Sequence, residues 1–154
     1  MTIKRQLDNS LDMLNDIIYV YPADHWRLIF HALYWLDYNL QEKYDGSKTF
    51  CWQTDKNITH DLNNADCIDC LTQNELTEYI KAIILKKESV FNNLTDVTLT
   101  APLTYRNDGL LLLDLLINQI RHIMYHVGYI NNILNDNNTQ PVQWRSIYND
   151  GGLK

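Results

Sequence analysis

The chain has 154 residues, of which 45% are hydrophobic and 21% are charged, and its formal net charge is −6. This length fits one domain with a substantial hydrophobic core, so a single domain over residues 1–154 is expected. The acidic balance argues against nucleic acid as a partner, because contacts to phosphates need clustered Lys and Arg.

The cysteines and the apolar runs favour a cytoplasmic protein. The first twenty residues are interrupted by charges and lack the apolar run of a secretory signal. An odd number of cysteines, Cys51, Cys67 and Cys70, is then typical of free thiols in a reducing compartment. The most apolar run, residues 109–120, contains Asp114 and is too short to cross a bilayer, so no membrane association is expected.

The first half of the chain contains two segments with the three-and-four spacing of an amphipathic helix. The first helix is predicted from about Ile3 to Val20, and Pro22 ends it. The second is predicted from about Asp24 to Glu42, with an apolar stripe formed by Trp26, Phe30, Leu33, Leu36 and Leu40. Residues 44–71 lack periodicity and are rich in turn formers, which predicts a long surface connection.

The second half of the chain contains two further helical segments. The third helix is predicted to start after Thr72, where T-Q-N-E has the form of a capping box between Thr72 and Glu75. A second irregular connection follows, in which residues 97–99 are the one strand-like run. The fourth helix is predicted from about Asn107 to Leu134, and Trp144 is expected to anchor the polar tail. Four amphipathic helices without a convincing strand predict an all-α bundle.

Two histidines of the fourth helix form a candidate metal site. His122 and His126 are four residues apart and therefore project from one face of the helix. They share a line with Leu115, Gln119 and Ile133, beside a wholly apolar stripe formed by Leu113, Leu116, Ile120, Ile123, Val127, Ile130 and Leu134. Polar groups at such an edge need partners, since leaving one unpaired costs a few kcal/mol. A metal ion chelated by both imidazoles is one such partner.

A third ligand must come from another element, and the sequence offers His25, His31 and His60. His31 is favoured because it lies in the middle of the second helix beside the apolar stripe. Three nitrogen ligands would leave coordination positions open to water, which is typical of a reactive metal site. Histidine pairs at this spacing are also common on ordinary helix surfaces, so packed or hydrogen-bonded histidines remain the alternative.

Four stretches of the sequence carry a resemblance to a known family: HALYWLDYNL at 31–40, TQNELTEYIK at 72–81, NQIRHIMYHVGYINNIL at 118–134 and PVQW at 141–144. In order and spacing they resemble the DinB-like proteins of the DinB/YfiT superfamily. The resemblance implies an up-down-down-up four-helix bundle with a long connection between the second and third helices. It also implies a divalent metal held by three histidines, and His31, His122 and His126 occupy the corresponding positions. Many members of the family are dimers, so the resemblance also implies a homodimer.

The resemblance also suggests an activity. Relatives include metal-dependent transferases that join a low-molecular-weight thiol to an electrophile, and hydrolase-like proteins. Zn²⁺, Ni²⁺ or Fe²⁺ would accept three imidazoles and act as a Lewis acid on a thiol or a water. One alternative is a stress-associated protein that binds a metal or a small molecule without catalysis. Another is a bundle whose histidines are only packed polar groups and which acts through its dimer interface.

Four further residues are candidates for supporting roles around the metal. Asp37 could accept the second N–H of a ligand imidazole, as carboxylates often do at metal sites. Arg121 could pair with an acid across helices, and Tyr34 and Tyr125 could donate to an oxyanion. Interhelical packing and hydrogen bonding are the alternative for each of them.

The long connection offers a weaker alternative metal site. Cys51, Cys67 and Cys70 with His60 have the composition of a Cys₃His zinc site. Their spacing is irregular, so free thiols are the favoured interpretation.

Overall fold

The computed structural model describes residues 2–64 and 67–145, and this part of the chain is all-α, as predicted. Four long helices are present: α1 (Thr2–Val20), α2 (Trp26–Asn39), α3 (Gln73–Asn92) and α5 (Leu112–Asp136). A short helix, α4 (Asp96–Leu99), lies between α3 and α5, and a 3₁₀ turn, Ala23–His25, precedes α2. None of these helices combines the length and the apolar character that a membrane crossing requires.

The helix ends follow from local backbone chemistry. α1 stops at Val20 because Tyr21 adopts a left-handed conformation (φ 46°) and Pro22 follows it. The predicted capping box at the start of α3 is confirmed. The Thr72 hydroxyl accepts from the Glu75 backbone N–H at 3.3 Å, and the Glu75 carboxylate accepts from the Thr72 backbone N–H at 2.7 Å.

Two predicted helices are shorter than expected. α2 ends at Asn39 and not near Glu42, because Leu40 already has extended backbone angles (φ −93°, ψ 98°). α5 begins at Leu112 and not near Asn107. The residues before it form a turn that contains Gly109 in a left-handed conformation (φ 73°), a geometry that helical periodicity cannot reveal.

Residues 97–99 form part of α4, so the strand-like interpretation of this run was wrong. Thr95 begins the turn, since its hydroxyl accepts from the Thr98 backbone N–H at 3.2 Å. The Thr98 hydroxyl in turn accepts from the Thr95 backbone N–H at 2.8 Å. A reciprocal cap of this kind favours a helical turn despite the β-branched residues.

The four long helices pack around one hydrophobic core, in which α1 and α2 each contact both α3 and α5. Lys4 at the start of α1 pairs with Glu88 near the end of α3 (2.6 Å). Gln73 at the start of α3 donates to the carbonyl of Ile18 near the end of α1 (3.0 Å). The core is lined by fully buried aliphatic side chains from all four helices, among them Leu7, Leu14, Ile17, Ile29, Leu33, Leu36, Leu76, Ile80, Ile83, Leu116, Ile123 and Ile130.

The described part of the C-terminal tail is held by polar contacts and not by Trp144. Asn131 pairs with the Val142 backbone in both directions, accepting from its N–H at 2.9 Å and donating to its carbonyl at 3.2 Å. Arg145 reaches Asp16 on α1 at 2.6 Å. Trp144 is 69% exposed, so its expected role as an anchor is wrong.

One buried carboxylate connects α2, α3 and the long segment between them. Asp37 is fully buried, and its oxygens accept from Lys86 Nζ at 2.5 Å, from the Tyr79 hydroxyl at 3.0 Å and from the Cys51 backbone N–H at 3.1 Å. Lys86 Nζ also donates to the carbonyl of Thr49 (2.5 Å). A buried charge is tolerated only when it is paired in this way, so these bonds bring the connection back onto α2.

Replacing Lys86 by Met would leave the Asp37 carboxylate buried without its counter-ion. We expect a loss of about 3 kcal/mol in the free energy of unfolding, measured by urea denaturation, since breaking a buried ion pair from one side is costly. Lys81 on the same helix is exposed and is the matched control, so Lys81→Met should change the stability by less than about 0.5 kcal/mol. Equal losses in the two variants would contradict a special role for the buried pair.

Candidate metal centre

Three imidazoles from two helices converge at one point between α2 and α5. His31 Nε2 lies 3.0 Å from His122 Nε2, and His126 Nε2 lies 3.1 Å from the same atom. One nitrogen from each of the three side chains falls within 4.8 Å of the others. The group of side chains that the sequence predicted is therefore brought together, and it could hold a metal ion.

The position of the histidines on α5 agrees with the predicted edge of the apolar stripe. His126 is 4% exposed, whereas His122 and His31 are half-buried. The neighbouring stripe faces the core, with Leu116, Ile123, Val127, Ile130 and Leu134 all buried. The cluster thus has a closed side against the core and an open side at His31 and His122.

The backbone of the long connection sets the chemistry of His31. Its Nδ1 lies 2.6 Å from the carbonyl oxygen of His60, an acceptor that carries no hydrogen. Nδ1 must therefore be the protonated nitrogen, which leaves a lone pair on Nε2 when the ring is neutral. Metal-ligating histidines are commonly oriented by such a bond from the second ring nitrogen.

The three Nε2 atoms cannot satisfy one another by hydrogen bonding alone. If all three rings are neutral, His31 Nε2 can only accept, and a hydrogen on His122 Nε2 can point at one neighbour but not at both. A cation at the centre accepts all three lone pairs at once. For an ion about 2.0–2.1 Å from each nitrogen, ligands in a tetrahedral site lie roughly 3.3 Å apart, close to the two short separations found here. The donor set and its spacing therefore fit a divalent transition metal.

Burial keeps the two α5 imidazoles in the neutral, ligating form. Desolvation lowers the pKa of His126 to about 4, and the neighbouring His122 and His31 add to the shift. Desolvation also lowers the pKa of His122, with a further contribution from His31. Neither ring has to lose a proton near pH 7 before it can bind a metal.

The structure gives Asp37 partners other than the imidazoles. Its carboxylate is engaged by Lys86, Tyr79 and the Cys51 backbone, and the orienting acceptor of His31 is a backbone carbonyl instead. Burial is the main cause that raises the pKa of the Cys51 thiol to about 12, and Asp37 adds to the shift. Cys51 is thus a protonated thiol at neutral pH.

The other supporting candidates surround the cluster at different depths. The ring of Tyr34 is stacked on the imidazole of His60, with centroids 3.8 Å apart and planes at 4°. Tyr125 is 71% exposed and meets His126 edge-on at 5.3 Å. Arg121 is exposed and lines a groove that also contains His122. Of the three, Tyr34 acts on the centre through the segment that orients His31.

The cysteines do not form a second cluster among the described residues, where the three histidines are the one group with metal-ligand spacing. Cys67 Sγ accepts from the Thr59 backbone N–H at 3.1 Å, and Cys70 is exposed. All three thiols are free. The Cys₃His alternative is therefore not supported by the geometry.

The sequence did not reveal what positions residue 60. Arg27 on α2 donates through Nη2 to the carbonyls of Asp61 (2.8 Å) and Asn64 (2.5 Å), which holds this part of the connection over α2. The stacked pair of Tyr34 and His60 supports the same segment. A contact to a backbone carbonyl has no signature in residue type, so the sequence held no signal for it.

Comparison with models of protein families, with curated proteins and with solved structures finds no match to this chain. The resemblance to DinB-like proteins therefore stays a prediction from the quoted motifs.

His126→Ala removes the most buried of the three ligands and should abolish stoichiometric binding of Zn²⁺ or Ni²⁺, measured by elemental analysis and by titration calorimetry. The helical content, followed by circular dichroism, should be retained because the apolar stripe of α5 is unchanged. The double substitution Cys67→Ser and Cys70→Ser is the matched control and should leave the metal content as it is. Metal retained by His126→Ala and lost from the serine variant would place the site in the connection instead.

Arg27→Ala should weaken metal binding roughly tenfold without removing a ligand, since loss of an outer contact that orients a ligand typically costs ten- to a hundredfold. The physical reason is that the segment from His60 to Asn64 loses its two bonds to α2, and His31 loses a fixed acceptor. Affinity would be measured by competition with a chelator of known strength. A wild-type affinity in Arg27→Ala would show that the segment is held well enough by other contacts.

Proposed function

We propose that the protein binds a divalent metal ion through His31, His122 and His126 and that it is a DinB-like four-helix protein. The observation that carries this proposal is the convergence of three Nε2 atoms, with the other nitrogen of His31 tied to a carbonyl. Ordinary packed histidines would each have a separate hydrogen-bond partner. Here the three Nε2 atoms face one another instead.

The up-down-down-up arrangement is supported by contacts between helix ends. Lys4 meets Glu88, and Gln73 meets Ile18, so α1 and α3 run in opposite directions. Phe30 packs near Tyr79 (6.1 Å between ring centroids), and Asp37 forms an ion pair with Lys86, so α2 and α3 run parallel. Parallel neighbours need a long connection between them, which residues 40–72 supply.

The direction of α5 completes this arrangement. His31 meets His126, while Asn39 at the end of α2 shares a groove with Asp114 at the start of α5. α5 therefore runs against α2 and along α1. The same antiparallel contact between α2 and α5 is what sets the third histidine opposite the pair.

The proposed chemistry is that of a thiol transferase or a hydrolase. A bound Zn²⁺, Ni²⁺ or Fe²⁺ would supply Lewis acidity, lowering the pKa of a thiol or a water for attack on an electrophile. The chain itself contributes three imidazole nitrogens, with His126 buried against the core and His122 lining the groove. A site with one open side admits a small-molecule substrate, whereas a structural metal site would be closed.

A second candidate function is a protein that binds a metal or a small molecule without catalysis. It is favoured by one observation: within the described ranges, no carboxylate hydrogen-bonds to any of the three imidazoles, and Tyr125 beside them is exposed. General acid–base catalysis needs a group within reach of the proton that moves. A stress-associated role and the predicted homodimer stay predictions for either function.

Turnover and binding can be separated in one experiment. The protein loaded with Zn²⁺, Ni²⁺ or Fe²⁺ is given a panel of low-molecular-weight thiols and a chromogenic electrophile, and thiol consumption and conjugate are followed. We expect a rate above that of the free metal, lost in His126→Ala and after chelation. Esters given to the same samples test hydrolysis.

Stoichiometric metal binding without turnover on either panel would favour the non-catalytic function. A chain that binds no metal would overturn both.

A further inference from the structure

A groove of about 660 Å³ lies between α2 and α5, next to the three histidines. Trp35 and Tyr38 contribute its wall on α2, and His122 belongs to its wall on α5. A ligand in this groove would lie against an imidazole of the cluster, so the groups that line it decide what can bind there.

Gln119 is a buried amide in this wall, and its carbonyl oxygen has no partner among the described residues. The side chain is 3% exposed, and its Oε1 accepts no hydrogen bond from any described residue. Leaving a buried carbonyl oxygen unpaired costs roughly 1–3 kcal/mol, so such an atom normally accepts a hydrogen bond from water or a ligand. Gln119 is one helical turn before His122, and the two share a face of α5.

Among the described residues that line the groove, Arg121 is the cation that is free to bind a ligand. Arg106 also lines the groove, but its guanidinium is engaged by both oxygens of Asp108 (3.1 Å and 2.5 Å). Asp114, the acidic side chain in the wall, accepts from the Leu111 backbone N–H at 3.1 Å. No described residue forms an ion pair or hydrogen bond with Arg121.

The two groups flank His122 around the helix. With 3.6 residues per turn, Arg121 lies about 100° to one side of His122 and Gln119 about 60° to the other. A ligand that lies across the face of α5 at His122 would therefore meet a guanidinium at one end and an amide oxygen at the other. The indole of Trp35 on α2 offers an apolar surface for the part between them.

We propose that this groove binds a small carboxylate that also carries an amide N–H or a hydroxyl. The carboxylate would accept two parallel bonds from the guanidinium of Arg121, the geometry for which arginine is suited. The N–H or O–H would donate to Gln119 Oε1 and satisfy it. Acylated amino acids and short peptides combine these features, so molecules of that class are the expected ligands.

As a substrate site, the groove rests on the proposed function, because a ligand there reacts only if a metal occupies the neighbouring cluster. Binding itself does not need the metal, since Arg121 and Gln119 belong to the chain. This difference allows the two proposals to fail separately.

The test is a titration of the full-length protein with N-acetylalanine, followed by NMR signals of the Trp35 indole and the Gln119 side-chain amide. It is run on metal-loaded and on metal-stripped protein. Two further probes each lack one feature: N-acetylalaninamide lacks the carboxylate, and propionate lacks the N–H donor. We expect each of these to bind roughly tenfold more weakly.

Three variants test which side chains of the groove bind N-acetylalanine. Arg121→Met and Gln119→Leu should each weaken binding of N-acetylalanine roughly tenfold, whereas Arg106→Met, which removes the paired arginine of the same groove, should change it less than about threefold. The metal content of all three variants should stay that of the wild type.

The groove proposal would be wrong if N-acetylalanine no longer bound after the metal is stripped, or if it bound Arg121→Met and Gln119→Leu as tightly as the wild type. Neither result would affect the metal site. Binding that persists in protein unable to hold metal would support the groove although the proposed function had failed.

Discussion

The hydrogen bond between His31 Nδ1 and the carbonyl oxygen of His60 is the constraint on which the candidate centre depends. At 2.6 Å this bond places the proton of the neutral tautomer on Nδ1. The lone pair is then on Nε2, which faces His122. Without it, the ring could take the other tautomer or turn away, and the pair on α5 would have no third ligand. A backbone carbonyl is well suited to this task because it can only accept.

That carbonyl is in place because the long connection is held against the helices at two points. Asp37, paired with Lys86, holds the residues around Cys51 against α2 and α3, and Arg27 holds the residues after His60. A buried ion pair at one point and bonds to backbone carbonyls at the other therefore position a segment without regular secondary structure. Stability of the fold and geometry of the centre are linked through this segment.

The centre has two unlike sides, and they suit it for different tasks. On the core side, burial keeps His126 neutral, with a pKa of about 4, so that this ligand is available to a metal at physiological pH. On the groove side, His122 is half-buried beside Gln119 and Arg121, the two residues proposed to bind a ligand. Metal-dependent chemistry on a small molecule needs both features: ligands fixed against the core and a side that is open to the substrate.

Short-range patterns in the sequence determined the four long helices, the cap at Thr72 and the shared face of His122 and His126, because periodicity and capping are set by residues a few positions apart. The mid-helix position of His31 also identified the histidine that the fold brings next to this pair. The acceptor of His31, the partners of Asp37 and the exposure of Trp144 were decided by tertiary structure alone. Each depends on contacts between residues distant in sequence, several of them through backbone atoms, which every residue carries and which no residue pattern can distinguish.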